Sequence, residues 1–97
     1  MMGKRAWRAG DLLKPVKSRM YPRGLPLFKN AEVPHETRVT ILFGLGMLLC
    51  VKRVRHRWGE NVVSGGGVIT MGLVLDNASQ MVGWAELRFL KRMKSAK

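Results

Sequence analysis

Asp76 stands in an apolar stretch whose only other acid is Glu86. An ionisable group in such surroundings is a candidate for chemistry, because its charge is costly there unless something satisfies it. Three readings are open. Asp76 and Asn77 form a helix N-cap or an interfacial turn, leaving residues 78–92 as an amphipathic surface helix; Asp76 is buried and paired to a neighbouring subunit; or it handles a proton. Other reactive residues form no constellation. His35 and His56 have no Cys or carboxylate at metal-ligand spacing, which argues against zinc. Gly65, Gly66 and Gly67 lack the Lys-Ser/Thr of a phosphate-binding loop, and no nucleophilic triad signature is present. Cys50 is the single cysteine and reads as a small buried hydrophobe. No cofactor and no enzymatic activity are expected.

Charge carries more information than any motif. Lys and Arg number 18 against 6 Asp and Glu, a formal net charge of +12. That excess implies anionic surroundings: nucleic-acid phosphates, phospholipid headgroups or acidic partner faces. Basic residues cluster in the first thirty positions, where Lys4, Arg5, Arg8, Lys14, Lys17, Arg19, Arg23 and Lys29 face only Asp11, in "KRVRHR" and in the closing "RFLKRMKSAK". Residues 1–34 contain Pro15, Pro22, Pro26 and Pro34, each of which removes a backbone donor and disfavours helix before it, so they predict an extended basic arm. Its acid-poor start resembles a mitochondrial import sequence retained in the protein.

Two apolar runs remain to be placed. In the first, residues 39–51, Val39, Ile41, Leu42, Phe43, Leu45, Met47, Leu48 and Leu49 surround a helical wheel without leaving a polar face. Pro34 and Glu36 suit a helix start and the basic cluster suits its end, which predicts a hydrophobic helix over 35–57. The uncharged part spans about 20 Å against about 30 Å of bilayer hydrocarbon, and Arg38 and Lys52 extend it by snorkelling. A Gly-rich connection, 58–67, leads to a second apolar or amphipathic helix with a basic tail, 68–97. There Gly72, Asp76, Ser79 and Gly83 fall on one small, polar face suited to close helix packing.

The expected fold is therefore mostly α: an extended arm, then one or two membrane-spanning helices, with no independent globular core in so short a chain. Trp7, Trp58 and Trp84 sit at positions suited to a membrane interface. The layout resembles the supernumerary subunits of mitochondrial respiratory complexes and of ATP synthase, a likeness of architecture that assigns no residue. It implies a non-catalytic accessory subunit of the mitochondrial inner membrane that braces other subunits. Arg38, Lys52, Arg53, Arg55 and Arg57 would contact those subunits or an anionic phospholipid such as cardiolipin. The alternative is a small basic ribosomal or mitoribosomal protein of the mitochondrial matrix whose cations neutralise rRNA phosphates.

Overall fold

A computed structural model describes residues 7–32, 38–56 and 67–93. It is nearly all β, which overturns the mostly α expectation. The strands are β1 (Leu12–Pro15), β2 (Leu25–Phe28), β3 (Arg38–Leu42), β4 (Gly46–His56), β5 (Gly67–Asp76), β6 (Val82–Glu86) and β7 (Leu90–Arg92), with one 3₁₀ turn at Leu87–Phe89. All neighbours are antiparallel, in the order β3-β2-β6-β5-β4-β1-β7, and the sheet curls into a half-barrel. What was expected as a helix over 35–57 holds β3, a turn at 43–45 and β4. The expected second helix holds β5, β6, the 3₁₀ turn and β7. Among the described residues no helix is long and apolar enough to cross a membrane, which removes the transmembrane-helix expectation.

The physical cause of the error lies in how β4 is buried. Gly44 and Gly46 lie at a bend through which β3 leads into β4, which runs in the same direction, and β4 then pairs with β5 from Gly46↔Asp76 to His56↔Gly67. A bulge falls between Leu48 and Cys50: Leu48 opposes Val74 but Cys50 opposes Leu73, leaving Leu49 as the extra residue. Since side chains alternate faces along a strand, one inserted residue moves everything beyond it to the other face. Leu48 thus lies in one buried cluster and Val54 in another, on the two faces of one strand. Within the run the positions that alternate with the buried Leu42 and Leu48 are themselves apolar although exposed, Phe43, Leu45, Leu49 and Val51 among them, so it shows no polar stripe and imitates an all-round apolar helix.

The first cluster fills the concave side and draws Leu13, Leu25, Leu27, Leu42, Leu48, Val74, Ala85, Leu87 and Leu90 from all seven strands and the 3₁₀ turn. The second joins Phe28, Ala31, Val54, Ile69 and Met71 on the other face, with Trp84 packed against it. Each fully buried Leu contributes about 1.5–3 kcal/mol relative to exposure. The chain therefore has its own core, contrary to expectation, and three residues of the supposed arm, Leu13, Leu25 and Leu27, are central to it. Gly72 and Gly83 do mark close approaches, but between strands of this sheet and its core. A Cβ on Gly83 would lie 2.6 Å from Leu27 Cβ and 3.2 Å from the Phe28 carbonyl oxygen; one on Gly72 would lie 2.6 Å from Leu87 Cδ2.

Candidate functional site

The two ends of the sheet, β3 and β7, curl around the same core without pairing: Leu42 of β3 and Leu90 of β7 share one cluster. Residues 16–24 carry the chain from β1, beside one free edge, to β2, beside the other. This loop is fixed at both ends. The Val16 N–H donates to the Phe89 carbonyl at 2.9 Å, and the Tyr21 ring meets Phe89 edge-on with centroids 5.3 Å apart. Gly24, at φ +117°, closes the loop where a side chain would collide with Ile41 and Phe43.

Between the loop, the turn after β3 and the ends of β1 and β7 lies a cleft of about 690 Å³. Its apolar surface comes from Pro15, Tyr21, Pro22 and Phe43, and Phe43 is 70% exposed despite its size. Its cations are Lys14, Lys17, Arg23 and Lys91, and no residue lining it is acidic. Lys14 and Lys91 are directly opposed across β1 and β7. Like charges in that relation destabilise a strand pair, so nothing in the fold's own energetics favours them.

The described acids are engaged elsewhere. Arg92 Nε donates to Asp11 Oδ2 at 3.0 Å and Arg88 Nε to Glu86 Oε1 at 2.9 Å, while Lys52 is paired with Glu32. That last pair holds the Glu32 carboxyl below its ordinary range, chiefly through the hydrogen bond from Lys52. Asp76 accepts from the Ser79 hydroxyl at 2.7 Å and the Ala78 N–H at 3.3 Å. Among the described residues the four cleft cations therefore have no acidic partner. A site that sets four cations beside aromatic and proline side chains suits a ligand that combines negative charge with flat apolar groups.

The residues singled out from sequence are scattered by comparison. Asp76 is buried and closes the turn between β5 and β6, its carbonyl accepting the Gln80 N–H at 2.8 Å; Ser79 lies in that same turn. Gly72 and Gly83 sit on β5 and β6, so the four do not form a helix-packing face. Lys52, Arg53 and Arg55 are exposed along β4. Arg38 begins β3, with its side chain outside the described part, and Arg57, His35, Trp58, Gly65 and Gly66 lie outside the described residues. Cys50, expected to be buried, is exposed. Reading the sequence placed Lys14, Lys17 and Arg23 in a basic block but missed their convergence with Tyr21, Phe43 and Lys91. The basic excess was the signal; the β1–β7 pairing that assembles it is a long-range contact. No protein-family model, curated protein or solved structure matches this chain, so its function is argued from the cleft itself.

Proposed function

We propose that the protein is a non-catalytic nucleic-acid-binding module that takes a single strand into the cationic cleft. The carrying observation is the grouping of Lys14, Lys17, Arg23 and Lys91 around Tyr21 and Phe43 without an acid. Phosphates neutralise the cations and release counterions, while bases stack on exposed aromatic rings without selecting a sequence. A rigid duplex offers its phosphates outward and its base faces not at all; a single strand offers both. This supports the RNA-binding alternative over the membrane-subunit reading, whose main structural argument was a pair of helices that fold as strands.

The test is fluorescence anisotropy with a labelled oligouridylate, run beside co-sedimentation with vesicles of phosphatidylcholine containing cardiolipin. Oligonucleotide binding should weaken steeply with salt, with a log–log slope of about −0.7 per phosphate neutralised. Replacing Tyr21 and Phe43 with Leu should weaken it further, because stacking contributes about 1–3 kcal/mol per base. Vesicle binding without oligonucleotide binding would overturn the proposal in favour of a lipid ligand.

A further inference from the structure

Past the body of the half-barrel, β4 and β5 continue with no further strand beside them among the described residues. β6 pairs with β5 from Met71 to Leu75, and β1 meets β4 at Gly46 and Met47, so among the described residues 53–56 and 67–70 form a two-stranded ribbon. Its faces differ. On one, Val54 and Ile69 are buried with Phe28 and Ala31, and Lys52 is tied to Glu32. On the other, Arg53 opposes Thr70 and Arg55 opposes Val68. Both arginines are exposed, and neither has an acidic partner among the described residues. Beside them Val68 and Thr70 border a second, smaller cleft of about 290 Å³, one wall of which is Trp7.

We infer that this bare ribbon face is a second contact for the same nucleic-acid strand, with phosphates on Arg53 and Arg55. The inference rests on the nucleic-acid reading of the cleft and adds an extent to it. Leu13 opposes Gly46, which puts Lys14 next to the start of β4. From Gly46 to Arg55 the strand advances by roughly 30 Å at about 3.4 Å per residue. Lys14 and Lys91 alternate with the core residues Leu13 and Leu90 and so lie on the outer face, whereas Arg53 and Arg55 share the face of Leu48 and Val74. A nucleic-acid strand that reaches both therefore also passes over the sheet edge. A short oligonucleotide occupies one contact at a time, whereas a longer strand engages both, the second association being intramolecular at a high effective concentration. The ligand class is thus an extended single strand rather than a nucleotide or a short fragment.

The experiment compares oligouridylates of about four and about sixteen nucleotides, the range covered by single small modules. The wild-type protein should bind the longer about tenfold or more tightly than the shorter. Arg53→Gln/Arg55→Gln should remove most of that advantage, change the short oligonucleotide's affinity less than about twofold, and reduce the salt slope by about 1.4. Arg53→Lys/Arg55→Lys keeps the charges and should restore most of the length dependence. If the Gln pair binds the long strand as wild type does, with an unchanged slope, the ribbon takes no part and the cleft reading survives alone. If the wild type binds neither length, both fall.

Discussion

At Leu13↔Arg92, the Arg92 guanidinium reaches Asp11 at 3.0 Å and covers the Trp7 ring at 4.8 Å. One step along the same strand pair, at Lys14↔Lys91, two lysines are register partners beside a cleft that no acidic residue lines. The first position uses charge to tie β7 and the start of β1 together: Asp11 Oδ2 also accepts the Arg8 N–H at 3.0 Å, and both ion-pair partners are about three-quarters shielded from solvent. The second opposes like charges, makes no ion pair among the described residues and borders the cationic cleft. Adjacent residues of one strand pair thus divide between an ion pair within the fold and, under the proposed function, a contact for a phosphate. Removing a structural charge should cost stability and spare binding; removing a site charge should do the reverse.

The harshest way to break this contrast is to remove the frame beneath both positions. Gly83→Val places side-chain atoms against Leu27 and the Phe28 backbone, which cannot swing aside, and should destabilise the fold by about 3 kcal/mol in urea denaturation. Stability and oligonucleotide binding would then fall together; a wild-type midpoint would mean that β2 and β6 are not so close. Next in size, Lys14→Gln/Lys91→Gln should weaken oligonucleotide binding about tenfold and flatten its salt slope by about 1.4, with no loss of thermal stability. Unchanged affinity would remove these lysines from the site. Asp11→Asn should lower stability by about 1 kcal/mol, the upper end for a partly shielded pair, while affinity stays within about twofold.

Lys91→Glu sharpens the contrast by moving the two quantities in opposite directions. It converts a like-charge opposition into an attractive one and should raise stability by a few tenths of a kcal/mol, yet it should weaken anion binding. The smallest effect concerns Glu32 and Lys52. Glu32's carboxyl is held below its ordinary 4.5, so its contribution is present above that value and is lost as pH falls through the lower, folded one. Both partners are about half exposed, so Glu32→Gln should barely alter the melting temperature at neutral pH. Its detectable effect should be a shallower acid dependence below the usual carboxylate range.

Particular residues show why some of this was legible and some was not. Val39, Thr40 and Ile41, then the Val-rich stretch after Cys50, carry strand propensity that the hydropathy of the run concealed. Local periodicity could not reveal the register shift at Leu49, because the bulge becomes visible only against β5. The spacing of Gly72, Ser79 and Gly83 by helical intervals was coincidental: two of them sit where strands and core approach closely, and the third belongs to a turn. For Asp76 the turn was among the readings left open, and the Asp76–Met81 segment has the hydrogen bonds of one.

By itself the sequence determined the quantities that depend on composition: a charge of +12, a chain without a disulfide framework, and interruptions by proline and glycine. Tertiary structure decided what those quantities are for. Lys14 and Lys91 are 77 positions apart and become opposed only because β7 returns to β1, as Tyr21 and Phe43 converge only because the loop over 16–24 spans the unpaired edges. Charge is additive along a chain and survives any fold. Proximity is created by pairing between distant segments, which no local pattern encodes.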